Sequence, residues 1–286
     1  MLQEAAPEGQ FHNTLRVPPS FPYLINSGLI MIMNLLKYSK MACHLIMLWP
    51  LTSIAAELPD TVDLIRPGVV AIGTIMPTRS PKAQFMGTGF VVGDGRHIIT
   101  NHHVVPEVIN HARRETLAIF EGRGEQTRGH QAKVVAKDEI HDLALLAITG
   151  EPLPALKLGD TSTVREGELY AFTGFPIGMV LGLYPVTHRG IISAITPIVI
   201  PALNARQLEV KHIRRMEDPF NVFQLDATAY PGNSGSPLYA IDTGHVVGVV
   251  NSVLVKNTKE SALTSPTGIS YAIPVKYIRQ LLDKIK

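Results

Sequence analysis

Beyond Glu57 the chain is a succession of short apolar runs separated by glycine, proline, aspartate and asparagine, and this spacing limits what it can fold into. Six runs come first, at 68–76, 85–92, 96–100, 117–121, 131–137 and 142–148. A connector rich in proline, glycine and polar residues covers 150–166 (GEPLPALKLGDTSTVRE), and six more runs follow at 168–175, 181–195, 221–226, 236–241, 244–254 and 267–273. The pattern predicts an all-β domain over 57–286 made of two six-stranded antiparallel β-barrels. Each barrel is closed, so that no long strand edge stays open. Barrel one is expected over about 61–155 and barrel two over about 165–273. The last segment, 275–286, sets Val275, Ile278, Leu281, Leu282 and Ile285 on one face, which predicts a C-terminal α-helix docked on the body.

Bulk chemistry narrows the function. The net charge is +2 with both signs mixed, so no electrostatic footprint for nucleic acid is implied. One basic cluster, Lys211 to Arg215, is followed at once by Glu217 and Asp218 and reads as a solvated loop. It lies in a long irregular segment, 197–220, and such segments in compact domains carry function or motion. Cys43 is the sole cysteine, so no intramolecular disulfide exists and the fold must rest on packing and hydrogen bonds, as in a bacterial-type protein.

Residues 1–56 form an N-terminal extension. From Met33 a short basic region with Lys37 and Lys40 precedes an apolar run and then small residues, the layout of a secretory signal peptide ending near Ala55 or Ala56. The run from Met41 to Ala56 is broken by His44 and Pro50 and is short for a membrane span. Nothing like a lipobox surrounds Cys43, and Met31 or Met33 is a plausible start of translation. The expected location is periplasmic or secreted, with no membrane span in the mature form. The alternative is an uncleaved signal anchor in the inner membrane.

The chemistry is carried by GNSGSPL, 232–238. Glycines on both sides of Ser234 let the backbone turn sharply and clear space around the hydroxyl. Such a turn can aim the N–H groups of Gly232 and Ser234 at one point, where the oxygen of an attacked amide carbonyl becomes negative. Serine is a weak nucleophile at neutral pH and needs a base. His103, in TNHHVV (100–105), and Asp142, in HDLALLAI (141–148), supply a base and a carboxylate able to fix its tautomer. Each residue also has a structural reading: a turn serine, an interior histidine, a strand-start cap. A metal cluster of His102, His103, His111 and His141 is disfavoured, because neighbours on an extended chain point to opposite sides and no Cys or Glu stands at ligand spacing. No metal or other cofactor is expected.

The order His, Asp, Ser resembles that of chymotrypsin-like enzymes, and the resemblance extends over nearly all of 61–286. The sequence resembles the trypsin-like peptidases, and among them the HtrA/Deg group. MGTGFVV (86–92) is similar to the G-S/T-G-F strand of that group, TNHHVV to T-N-x-H-V-V, and HDLALLAI to D-L/I-A-L/V-L. AFTGFPIG (171–178), HRGIISAI (188–195), LDATAYPGNSGSPL (225–238) and ISYAIPV (269–275) match further blocks in order. The resemblance implies a serine endopeptidase acting on protein or peptide substrates, unfolded or misfolded proteins among them, through an acyl-enzyme. It assigns the base to His103 rather than His102, the acid to Asp142, the nucleophile to Ser234 and the oxyanion hole to Gly232 and Ser234. A neutral base is needed, so activity is expected to fall on acidification.

Departures qualify the likeness. Ser236 replaces the usual second glycine after the nucleophile, a variant resembling glutamyl endopeptidases. The histidine–tryptophan pair of those enzymes is missing from GVVNSVLV (248–255), against acidic specificity. Asn233 stands where pancreatic-type enzymes have an aspartate, so activation by a salt bridge to a new N-terminus is not expected; the resemblance gives that control to segment 197–220. Thr228 falls where the specificity pocket has its floor, which suits a small or medium aliphatic side chain. Asp226 is expected to satisfy backbone groups of the neighbouring turn. HtrA proteins usually carry PDZ domains after the protease, whereas this sequence resembles the protease domain alone; their frequent homotrimer is the assembly implied. The rival readings are a catalytically silent binding or chaperone module of the same fold, and a glutamyl-endopeptidase-like enzyme.

Overall fold

The architecture follows from which strands are buried on both faces. A computed structural model of the chain describes residues 57–176, 182–198, 219–252 and 268–285. The N-terminal extension, most of segment 197–220 and Cys43 lie outside the described residues. Twelve strands are present: β1 (Val69–Ile75), β2 (Ala83–Val92), β3 (His97–Asn101), β4 (Thr116–Glu121), β5 (Arg128–Asp138), β6 (Leu143–Ile148), β7 (Leu169–Gly174), β8 (Val186–Pro197), β9 (Asn221–Asp226), β10 (Pro237–Ala240), β11 (Val246–Asn251) and β12 (Ile269–Pro274). They close into two antiparallel barrels, in the order β1-β2-β3-β6-β5-β4 and β10-β11-β12-β9-β8-β7.

Side chains alternate along a strand, so a strand that is apolar throughout must bury both faces. On β1, Val70 and Ile72 enter the core of barrel one, while Val69 and Ala71 enter a cluster that joins the barrels. Leu143 and Leu145 of β6 divide from Ala144 and Leu146 in the same way. On β11, Val246 and Val249 face the joining cluster, and Val247 and Val250 fill barrel two. Strands β5 and β8, further from the join, carry many exposed positions.

Among the described residues two α-helices lie outside the barrels. Helix α1 (Leu58–Ile65) was not expected; it buries Thr61 and Ile65 and hooks the Thr61 hydroxyl onto the Ile241 carbonyl at 2.5 Å. Helix α2 (Val275–Asp283) buries Val275, Tyr277, Ile278 and Leu281 against the joining cluster. The expected face is shifted: Tyr277 belongs to it, and Ile285, past the helix end, is exposed. Among the described residues no helix is long and apolar enough to cross a membrane.

Candidate active site

The aspartate is set by an unusual backbone. Asp142 ends the β5–β6 turn in the left-handed region, φ +53°, which Asp tolerates better than most residues. Both of its acceptors then meet the segment after β3. Its carbonyl takes the His102 N–H at 3.0 Å and the Asn101 side-chain amide at 3.0 Å. Its carboxylate takes the His103 N–H at 2.9 Å and faces the His103 ring at 2.6 Å from Nδ1. An ionised carboxylate can only accept, so Nδ1 carries a proton, and in the neutral ring Nε2 keeps its lone pair. Burial would raise the Asp142 pKa, but the hydrogen bond and charge of His103, its N–H and the Asn251 amide outweigh that and hold it below the usual carboxylate range.

Three of the four histidines considered as a metal cluster face different carboxylates. His103 faces Asp142, His141 faces Asp138 at 2.9 Å, and His102 lies 3.9 Å from Glu139. His102 and His103 occupy a 3₁₀ turn, not the extended chain expected from the sequence. Burial lowers the His102 pKa, and its Nδ1 is buried without a partner among the described residues.

Ser234 sits at the mouth of barrel two, 3% exposed. The preceding turn runs Tyr230-Pro231-Gly232-Asn233, closed by Asn233 N–H on Tyr230 O at 2.9 Å, with Gly232 at φ +99°. Proline second and a positive φ third define a type II turn. Neither the Gly232 nor the Ser234 N–H donates to an acceptor among the described residues. Gly235 follows at φ +91°, where a Cβ would stand 1.9 Å from the Thr88 carbonyl, so only glycine fits. Ser236, the departure from the family pattern, is fully buried, and a Cβ at Gly174 would approach its hydroxyl to 1.9 Å.

Two residues that the sequence reading passed over join the halves of the site. Asn251 Nδ2 donates to Asp142 Oδ2 at 2.6 Å, and the next residue, Ser252, meets Ser234 Oγ with its hydroxyl at 2.5 Å and its N–H at 3.3 Å. One dipeptide at the end of β11 thus touches both the aspartate of barrel one and the serine of barrel two. The only sequence signal was polarity: Asn and Ser break the apolar run GVVNSV just as it reaches the barrel rim.

The expected role of Asp226 needs correction. Thr228 is half-buried in the segment leading to Ser234. The turn around it is held by Ser270 of β12, whose hydroxyl accepts from Ala229 N–H at 2.8 Å and donates to the Ala227 carbonyl. Asp226 does not take that part; it is exposed at the end of β9, because the strand leaves its side chain outside the barrel.

Paired six-stranded barrels with histidine and aspartate on one and serine on the other define the trypsin-like class of fold. Residues 87–249 match the trypsin-like peptidase domain, and the chain belongs to that family. A "Probable periplasmic serine endoprotease DegP-like" of Marinomonas sp. (strain MWYL1) is 30% identical over 219 residues, 77% of this chain and 39% of that protein. A relative of the same description in Chlamydia muridarum is 32% identical over 209 residues, 73% of this chain and 35% of that one. The chain therefore spans less than two fifths of the length of these relatives. The solved HtrA-type protease AlgW with decapeptide superposes with a TM-score of 0.58 at 23% identity, over 80% of this chain and 67% of that one, a likeness of fold.

Proposed function

We propose that the chain is a serine endopeptidase hydrolysing peptide bonds in protein substrates, with Ser234 as nucleophile, His103 as base and Asp142 as orienting acid. The single observation that carries this reading is the line Asp142–Asn251–Ser252–Ser234, which ties the carboxylate holding the His103 ring to the neighbour of the serine hydroxyl. His103 Nε2 takes the Ser234 proton as Oγ bonds to the substrate carbonyl carbon and the carbonyl electron pair moves to oxygen. The N–H groups of Gly232 and Ser234, which have no acceptor among the described residues, receive that oxyanion. Collapse breaks the C–N bond, with the imidazolium proton passing to the leaving amine. Water, deprotonated by His103, then attacks the acyl-enzyme and frees the acid and Ser234. For this the Ser234 hydroxyl turns from Ser252 toward His103.

Unfolded or misfolded proteins in the periplasm, or outside the cell, are the proposed substrates, cut after a small or medium aliphatic residue received over Thr228. The relatives' printed descriptions and the leader-like residues 33–56 support that location. A homotrimer and gating by segment 197–220 belong to the same reading.

The test is labelling by a fluorophosphonate probe together with turnover of casein. Both are expected in the wild type and absent in Ser234→Ala; labelling or turnover that survives the substitution sinks the assignment. One observation favours a second reading, a binding module of the same fold without turnover: the Ser234 hydroxyl is bonded to Ser252. A wild type that neither labels nor cleaves would establish that reading instead.

A further inference from the structure

Thr88, on β2 of barrel one, is fully buried against the turn that carries Ser234. Its backbone N–H donates to Ser234 O at 2.9 Å, and its carbonyl accepts the Thr100 hydroxyl at 2.6 Å. Its own hydroxyl donates to Gly232 O at 2.7 Å and accepts the Phe175 N–H at 3.0 Å. That direction is forced: a threonine hydroxyl has one proton, and because Phe175 N–H is itself a donor, the proton must go to the Gly232 carbonyl.

These bonds fall on alternate peptides. The Gly232–Asn233 peptide is held at both ends, its oxygen by Thr88 and its N–H by Tyr230. The Ser234–Gly235 peptide is held likewise, its oxygen by Thr88 N–H and its N–H by Val250 O. The peptides that alternate with these, Pro231–Gly232 and Asn233–Ser234, carry the N–H groups of Gly232 and Ser234, which have no acceptor among the described residues. With its neighbours fixed, the turn keeps Gly232 at φ +99° and cannot turn a carbonyl into the space those N–H groups face.

We infer that the Thr88 hydroxyl is a positioning group for the oxyanion-binding turn, so that barrel one supplies the part that shapes the acceptor site of barrel two. This rests on the endopeptidase reading, and it adds a residue that never touches substrate.

Thr88→Val removes the hydroxyl at nearly constant volume, and Thr88→Ser keeps it. Outright loss of an oxyanion donor costs about 100- to 1,000-fold, so loosening the turn is expected to lower kcat on a peptide substrate by about 10- to 100-fold. KM is expected to stay within about twofold, since interactions made only in the transition state act on kcat. A peptide aldehyde, whose adduct places an oxygen in the same site, should weaken in step with kcat, and Thr88→Ser should restore both. Independently of activity, hydrogen exchange at the Asn233 amide should quicken in Thr88→Val and return to the wild-type rate in Thr88→Ser. If Thr88→Val does not fold, Thr88→Ala deletes the same bond without a methyl facing a carbonyl. An active wild type with unchanged kcat and Asn233 exchange in the variant overturns the inference. Quickened exchange in a protein whose wild type is inactive would support the holding role while sinking the endopeptidase reading.

Discussion

Ser234 Oγ and Ser252 Oγ lie 2.5 Å apart, so the hydroxyl proposed as nucleophile is paired with a second serine from the neighbouring strand end. The Ser252 N–H, 3.3 Å away, reinforces that orientation. With Ser234 as the donor of this contact, its proton must leave Ser252 before it can pass to His103, and Ser252 then acts as a brake on the proposed reaction.

Ser252→Ala is therefore expected to speed labelling of Ser234 by a fluorophosphonate. A neutral hydrogen bond is worth about 0.5–1.5 kcal/mol net, so the gain should be about two- to tenfold. Probe kinetics on wild type, Ser252→Ala and Ser234→Ala measure it, and a slower Ser252→Ala would show that Ser252 assists the reaction.

Asn251 bears on the other end of the line. Its amide gives Asp142 a charge-assisted bond at 2.6 Å, and it is only 1% exposed, so no water takes its place readily. Bonds to charged groups contribute about 1.5–3 kcal/mol, so Asn251→Ala should lower kcat by roughly 10- to 100-fold with KM little changed. Asp142 loses a stabiliser of its charged form, and its pKa should rise toward the ordinary range. Steady-state kinetics decides the first point, and an unaltered kcat would remove Asn251 from the machinery.

The twelve strands were legible because apolar runs bounded by turn residues survive any tertiary context, and doubly buried strands such as β1 and β11 announce themselves as unbroken hydrophobic stretches. Helix α1 was not legible: it is eight residues long, starts on Leu58-Pro59 and buries only Thr61 and Ile65, too few for a helical stripe. Ser234, His103 and Asp142 stand in distinctive local text. Asn251 and Ser252 do not, and Thr88 stands in the block MGTGFVV without its part being readable there, because each acts on a partner brought close only by the fold; Thr88 is 144 residues from Gly232.

A second histidine–aspartate pair, at the same β5–β6 turn as Asp142, gives a pH prediction for stability. His141 bonds Asp138 through its ring at 2.9 Å and its N–H at 3.1 Å, and stacks on Tyr277 of α2 at 4.0 Å between ring centres. Burial would raise the Asp138 pKa, but His141 and the Lys284 ammonium 3.7 Å away bring it down to about 2. A depressed carboxylate stabilises the fold above its unfolded pKa of about 3.9 and loses that contribution as pH falls toward the folded value. Asp138→Asn should therefore lower the urea midpoint most above pH 4, with the two proteins converging near pH 2. A gap that persists at pH 2 would assign the effect to packing.

The Ser236 variant of the nucleophile turn makes the last prediction. Among the described residues its hydroxyl is buried without a partner, beside Asn233, whose side-chain amide also has none. It fits there because Gly174 has no side chain: a Cβ would stand 1.9 Å from Ser236 Oγ, 2.9 Å from Thr88 Oγ1 and 3.1 Å from Asn233 Oδ1. Gly174→Ala must displace the hydroxyl or shift β7, and overpacking of this kind costs about 1–3 kcal/mol. Ser236→Gly removes both the clash and an unsatisfied buried hydroxyl, whose desolvation costs about 1–3 kcal/mol. The double variant should thus recover much of the stability lost in Gly174→Ala, with a coupling of about 1 kcal/mol or more. Recovery stays incomplete, because the new methyl still crowds Thr88. Urea unfolding of the four proteins in the cycle measures the coupling, and strict additivity would mean that the glycine on β7 is kept for a reason other than the serine it faces.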